Sequence, residues 1–129
     1  IIDILRKNGR AKYTEIAKEI GIPEATVRYR VRSLVNEGVI KRFTIELASR
    51  GITCLVGFKT EPKTDIEGVC EKILELEGVE CVYEVTGEWD GIVVVKGENP
   101  SEINEAIDHI RAMPGVTATN SFFVLMEHR

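Results

Sequence analysis

Two segments of the chain carry residue types whose spacing suits binding chemistry. In PEATVRYRVR, residues 23–32, arginines occupy positions 28, 30 and 32. In TGEWDGIVVV, residues 86–95, two glycines flank a tryptophan and an aspartate. Guanidinium groups pair with phosphates and guanine edges, and an aspartate beside an aromatic ring can hold a ligand's ammonium group. The first segment is therefore a candidate polyanion surface and the second a candidate pocket.

The arginine segment reads as a helix rather than a strand. At about 100° per residue, Val27, Val31 and Leu34 share one side and predict a core stripe. Arg30 lands at the edge of that stripe and is expected to brace the fold. The opposite side is expected to contact DNA through Thr26, Arg28, Tyr29, Arg32 and Ser33. A solvated charged face is the alternative interpretation.

The elements that must position this helix form a helix-turn-helix. A first helix is predicted to end at Gly9, and a second to run from an N-cap at Thr14 to Gly21. The third opens at Pro23 and ends at Gly38. Because only three residues join the second and third helices, Gly21 is expected to adopt a positive φ.

The segment VIKRFTIEL, residues 39–47, alternates in polarity and predicts a strand that forms a wing. Lys41 and Arg42 would then reach phosphates, although ordinary exposed cations would look the same.

The charge is divided unevenly, although the formal net charge is only -4. Residues 1–45 hold ten Lys or Arg and five acidic residues. Residues 46–129 hold seven Lys or Arg and sixteen acidic residues. This asymmetry favours a nucleic-acid-binding first part. The predicted domains are a helix-turn-helix at 1–45, a linker strand or hinge at 46–52, and a second domain at 53–129.

The second domain has the predicted order βαββαβ and an internal repeat. Shifted by 37 residues, Ile73 matches Ile110 and Gly78 matches Gly115. Two such units predict a ferredoxin-like sandwich with both helices on one sheet face, so the fold class is α+β. Strands such as GIVVV are apolar at successive positions, which predicts burial of the other face in a homodimer.

No catalytic, metal or cofactor site is predicted. The three cysteines form no CxxC pair and are interpreted as small apolar residues of a reducing, cytoplasmic protein. No segment is apolar enough to predict a membrane span. The abrupt start inside an amphipathic helix predicts residues before Ile1.

The segment IGIPEATVRYRVRSLVNEGVIKRF, followed by the VTGEWDGIVVV loop within a βαββαβ order, resembles the leucine- and asparagine-responsive (Lrp/AsnC) regulators, of archaeal type. This resemblance implies a transcription factor whose dimers assemble into octamers and which binds an amino acid between dimers. The family's effector loop falls on Gly87, Trp89 and Asp90. A second pocket edge is implied at Thr117, Thr119 and Asn120. Pro23, Trp89 and Gly91 depart from the commoner family residues.

The leading function is therefore amino-acid-modulated, sequence-specific binding of double-stranded DNA. The alternative is a DNA-organising protein of the same fold that ignores small molecules. An enzyme is the third interpretation, and no nucleophile–base pair or phosphate loop supports it. Without the resemblance, the residues of the TGEWDG loop favour an ordinary hairpin loop over a ligand pocket.

Overall fold

The computed structural model describes residues 1–48 and 51–129 and divides into two compact units, the first ending at Ala48. Positions 49 and 50 of the predicted linker lie outside the described residues. The predicted α+β class and βαββαβ order are confirmed. The first unit contains α1 (Ile2–Lys7), α2 (Tyr13–Ile20) and α3 (Glu24–Asn36).

The turn between α2 and α3 is built as expected. Gly21 has φ 72° and ψ 36°, the left-handed conformation that glycine adopts without a steric penalty. Its N–H donates to the Ala17 carbonyl at 2.9 Å. The turn therefore ends α2 abruptly and lets α3 start at Glu24.

Two predicted helix boundaries are wrong. Thr14 is not an N-cap, because α2 already begins at Tyr13 and the Glu15 carboxylate accepts the Lys12 N–H at 3.2 Å. Gly9 does not end α1 either, since the helix stops at Lys7 and Asn8 is extended. Both boundaries lie two residues before the predicted ones.

The core of the first unit is small and centred on α3. Val27 is 0% exposed and Val31 3%, and both pack with the fully buried Ile16 of α2. Leu34 is half-buried. Burying such a side chain stabilises a fold by about 1.5–3 kcal/mol, so this stripe fixes which side of α3 turns outward.

The predicted wing strand is not present: residues 39–48 contain no strand. Phe43, Ile45 and Leu47 alternate as expected, yet they are 55%, 77% and 78% exposed. A strand requires a partner for its backbone hydrogen bonds, and polarity alternation alone does not supply one.

The second unit is a four-stranded antiparallel sheet in the order β2-β3-β1-β4 with two helices. Its elements are β1 (Ile52–Thr60), α4 (Ile66–Leu74), β2 (Val79–Glu84), β3 (Gly91–Gly97), α5 (Pro100–Arg111) and β4 (Val116–Phe123). Asp65 caps α4 through the Gly68 N–H, and Asn99 caps α5 through the Glu102 N–H. The repeat appears in the backbone, because Gly78 and Gly115 have φ 86° and 91°.

Both helices pack against one face of this sheet, which we call the helix face. Its core contains Val56 and Phe58 of β1, Val93 of β3, and Ile73 and Ile110 of the helices, all fully buried. Since strand side chains alternate between faces, the intervening residues define a second sheet face. Its apolar members are Leu55, Tyr83, Ile92, Val94 and Phe122. Among the described residues, no helix has the length and apolar content needed to cross a bilayer.

Candidate functional sites

The side of α3 opposite its core stripe carries the cations predicted to bind DNA. Arg28, Tyr29 and Arg32 are exposed, with Tyr29 at 72%, while Thr26 and Ser33 are half-buried. An exposed helix face of this kind fits the major groove, where arginine can fork onto guanine. Lys41 and Arg42 are also exposed, outside any strand.

Arg30, which is expected to brace the fold, is exposed. It lines an open groove of about 590 Å³ together with Tyr29, Ser33 and the start of α1. Its bracing role stays a prediction.

Arg28 has partners that the sequence analysis missed. Its Nη2 lies 2.7 Å from Glu24 Oε1, and its guanidinium carbon lies 5.5 Å from the centroid of the Tyr13 ring. The spacing of Glu24 and Arg28, one helical turn apart, was a readable signal for the ion pair. The contact with Tyr13 could not be predicted from sequence, because Tyr13 and Arg28 lie on different helices.

Trp89 of the β2–β3 loop covers the second sheet face at Gly57. A Cβ on Gly57 would meet the indole at 2.8 Å, so only glycine lets the ring lie this close to the strand. The Lys59 ammonium is 5.1 Å from the ring centroid, and Glu88 Oε1 lies 3.9 Å from that ammonium. The tryptophan is therefore held by the sheet beneath it and a cation beside it.

Asp90 anchors the same loop to the end of β1. Its Oδ2 accepts the Thr60 N–H at 2.8 Å and the Thr60 hydroxyl at 3.3 Å. Its own N–H donates to the Phe58 carbonyl at 3.0 Å, and its carbonyl accepts the Val85 N–H. Asp90 thus has a structural role that its motif did not reveal. Gly87, at the loop tip, has φ 110°, which favours glycine there.

Gly91 is small because the Phe58 ring fills the space beside it. A Cβ on Gly91 would lie 2.2 Å from Phe58 Cζ. Phe58 is 0% exposed, so its ring cannot swing aside into solvent. Glycine at position 91, where the family more commonly has another residue, is therefore explained by the Phe58 ring packed beside it.

The three residues implied as a second pocket edge do not point the same way. Thr119 is paired with Phe58 on the helix face, where its hydroxyl accepts the Arg111 Nε–H at 3.0 Å. Asn120 is paired with Gly57, which places it on the second sheet face beside the Trp89 site. Thr117 is exposed, and its hydroxyl donates to the Lys59 carbonyl at 3.4 Å. Only Asn120 therefore shares a sheet face with Trp89.

Three side chains of the second unit, Cys54, Cys70 and Tyr83, have raised pKa values. Burial raises the pKa of the Cys54 thiol, and burial with nearby Glu84 and Glu67 raises the pKa of Cys70. A hydrogen bond with Cys81 is the main cause of a raised Tyr83 pKa. Within residues 1–48 and 51–129, no three His, Cys, Asp or Glu side chains cluster in a way that could hold a metal ion.

Comparison with known proteins decides the relationship. Residues 53–129 match the model of the Lrp/AsnC ligand binding domain, and residues 1–41 match that of a winged helix-turn-helix DNA-binding domain. The chain belongs to the Lrp/AsnC family of helix-turn-helix transcriptional regulators. The resemblance carried by its motifs is thereby confirmed, and so is transcriptional regulation as its function.

Individual Lrp/AsnC relatives match this protein over nearly its whole chain. The HTH-type transcriptional regulator LysM of Sulfurisphaera tokodaii is 49% identical over 126 residues, covering 97% of this chain and 90% of that protein. Escherichia coli AsnC has the same fold, with a TM-score of 0.84 at 22% identity over 98% of this chain and 88% of that one. A feast or famine regulatory protein of Mycobacterium tuberculosis, solved with L-methionine, has a TM-score of 0.89 at 22% identity. The match covers 99% of this chain and 89% of that one.

Proposed function

We propose that this regulator binds double-stranded DNA through the exposed side of α3 and adjusts that binding to an amino acid held by its second unit. The observation that carries the DNA-binding part is the exposure of Arg28, Tyr29 and Arg32 on the side opposite Val27 and Val31. Half-buried Thr26 and Ser33 would add contacts at the edge of this surface. Lys41 and Arg42 would add phosphate contacts.

The DNA-binding surface is tested by removing one cation at a time. The probe is a duplex selected from a random pool by the wild-type protein, with a scrambled duplex of the same length beside it. Arg28→Ala or Arg32→Ala should weaken selected-duplex binding by about 1–3 kcal/mol, measured by fluorescence anisotropy. Lys7→Ala, an exposed cation of α1, provides a control with the same charge change. If neither arginine variant bound more weakly than this control, α3 would not be the reading helix.

The amino-acid part rests on the loop that carries Trp89 and Asp90. Thr60 occupies one oxygen of the Asp90 carboxylate, and a carboxylate keeps acceptor capacity on its second oxygen for an ammonium group. Trp89 and Asn120 lie on one sheet face and would contact the effector's side chain, with Gly87 at the pocket rim. Thr119 lies on the helix face, so the proposed pocket uses Asn120 alone of the three residues implied on the last strand. The mycobacterial relative was solved with L-methionine, which makes methionine the first effector to try.

Asp90→Asn separates effector binding from loop anchoring. The amide oxygen can still accept the Thr60 N–H, while the negative charge is lost. The variant should keep the wild-type urea midpoint and basal DNA affinity but lose any shift caused by methionine or a pool of amino acids. A response of wild-type size in Asp90→Asn would remove this carboxylate from the pocket.

The assembly we propose is a homodimer that forms octamers. Tyr83 and Phe122 of the second sheet face are 57% and 49% exposed in the single chain, and burying such a face is a common reason for subunits to associate. Sedimentation velocity with and without amino acids tests this, and a monomer at micromolar concentration would refute it. A cytoplasmic location is part of the same proposal, since the protein must reach chromosomal DNA.

A DNA-organising role predicts a different result in the same titrations. Such a protein would bind the selected and scrambled duplexes with equal affinity and ignore every amino acid. Preferential binding of the selected duplex, with an affinity that changes when an amino acid is added, supports the effector-modulated regulator instead.

A further inference from the structure

Arg28 is held by a cluster that its predicted role in DNA binding does not require. Glu24 and Arg28 lie one turn apart at the start of α3, with 2.7 Å between carboxylate oxygen and guanidinium nitrogen. Tyr13, at the start of α2, lies beside the same guanidinium at 5.5 Å. We call these three residues the Arg28 clamp. It borders a shallow hollow of about 420 Å³ between the two helix starts.

Arg32, one turn further along α3, has a different environment. Within the part of the chain that the structure describes, no carboxylate lies within 4.0 Å of its guanidinium. The two cations predicted to bind DNA are therefore chemically distinct. Arg32 presents its charge to solvent with no carboxylate of the described residues beside it, whereas Arg28 forms an ion pair with Glu24.

This difference matters because phosphates and base edges attract arginine in different ways. Phosphate binding depends on net charge and is independent of sequence. A carboxylate beside Arg28 repels phosphate and weakens that attraction. Guanine, in contrast, is recognised by two directed N–H donors. Glu24 uses one N–H of the guanidinium and leaves four, which suffices for a forked contact.

Holding the side chain also favours the directed contact. A free arginine must lose much of its rotamer freedom when it binds a base edge. The ion pair to Glu24 and the Tyr13 ring restrict Arg28 before DNA arrives, so less freedom is lost on binding. The first half of a recognition helix is the part that meets base edges in helix-turn-helix complexes, and Arg28 lies there.

We propose that Glu24 is a specificity-determining positioning residue: it keeps Arg28 from binding phosphates and directs it to a base, while Arg32 supplies sequence-independent phosphate attraction. This inference rests on the proposed DNA-binding surface of α3. It adds to that surface an acidic residue that acts by restraining a cation.

Glu24→Gln tests the inference, because glutamine keeps the side-chain length but removes the charge that holds Arg28. The control is Glu19→Gln, which makes the same charge change at an exposed position of α2. Dissociation constants for the selected and scrambled duplexes are measured by anisotropy over a series of salt concentrations, and circular dichroism melts confirm folding.

In Glu24→Gln, we expect scrambled-duplex affinity to rise by about 3- to 10-fold, as expected for about one added phosphate contact. Affinity for the selected duplex should change by less, so that the ratio of the two dissociation constants falls at least about threefold. The dependence of scrambled-duplex binding on salt should become steeper. Glu19→Gln should shift both duplexes by one common factor. An unchanged ratio in Glu24→Gln would overturn the inference.

The same substitution in an Arg28→Ala background shows whether Glu24 acts through Arg28. If it does, Glu24→Gln no longer alters the ratio in that background. A ratio that falls equally with and without Arg28 would also overturn the inference.

These results separate the inference from the proposal on which it rests. If Arg28→Ala and Arg32→Ala both bind the selected duplex like wild type, the proposed DNA-binding surface itself fails, and the inference fails with it. If the arginine variants weaken binding while Glu24→Gln keeps the wild-type ratio, only the role of Glu24 is refuted.

Discussion

Replacing Gly91 by alanine should disrupt the core beneath the candidate effector loop. The added Cβ would lie 2.2 Å from Phe58 Cζ and 2.3 Å from Cε1. The ring is fully buried, so either the ring or the β3 backbone must move. The φ of Gly91 is not positive, so the predicted loss of stability comes from steric overlap alone and not from backbone strain.

The size of the effect follows from two opposing contributions. Overpacking a core costs about 1–3 kcal/mol. Replacing glycine by alanine also restricts the unfolded chain, which returns about 0.4–1 kcal/mol. We expect a net loss of about 1–2 kcal/mol in the free energy of unfolding of the second unit.

Phe58→Leu should relieve the overlap, because leucine lacks the ring atoms that meet the new methyl group. Alone, it should cost about 1–2 kcal/mol through lost burial and a small cavity. In the double variant, the alanine methyl would occupy part of that cavity. The combined loss should therefore fall short of the sum by about 1–2 kcal/mol, a coupling typical of residues in contact.

Urea unfolding followed by tryptophan fluorescence measures all four proteins. Trp89 is the single tryptophan of the chain and lies in the second unit, so the signal reports on that unit. Protein concentration is held constant, since assembly would shift the midpoint. Gly9→Ala, whose Cβ would meet Leu5 O at an ordinary 3.8 Å, lies in the first unit and should leave the unfolding of the second unit unchanged. If the loss in the double variant equals the sum of the two single losses to within about 0.5 kcal/mol, direct contact between positions 58 and 91 is refuted.

Three further predictions concern single residues. Gly21→Ala should destabilise the first unit by about 1–2 kcal/mol because φ is 72° there, and an unchanged circular dichroism melt would contradict this. Cys54 is buried and its pKa is raised, so less thiolate forms at any given pH. Its modification by a disulfide reagent, followed by mass spectrometry of peptides, should be at least about tenfold slower in the native protein than in urea; equal rates would exclude this burial. Asp90→Ala should lower stability by about 1–3 kcal/mol because the Thr60 N–H loses its acceptor, and a urea midpoint equal to that of Asp90→Asn would show that the anchor contributes nothing.

The βαββαβ order was predictable because the strands carry strong local signals. The segment GIVVV, residues 91–95, is predicted as a strand and lies within β3. Repetition strengthened the prediction, since an equivalent glycine follows each of the two helices and both adopt a positive φ. The helix-turn-helix was predictable for a similar reason, because a three-residue connection with Gly21 permits few geometries.

The wing and the helix boundaries were harder to predict from sequence. Alternation in residues 39–47 indicates that a strand is possible, but strand formation depends on a partner elsewhere. At the start of α2, the Glu15 carboxylate accepts the Lys12 N–H two residues before the predicted cap, and the preference of Thr for N-caps did not reveal this contact.

The sequence by itself determined the family, the order of elements and the side of α3 that turns outward, because these depend on local periodicity and on motifs a few residues long. Tertiary structure decided what the site residues contact. It paired Asn120 with Gly57, joined Asp90 to Thr60 across thirty positions and set Tyr13 beside Arg28. Such contacts join residues distant in sequence, and they arise only when packing brings separate elements together.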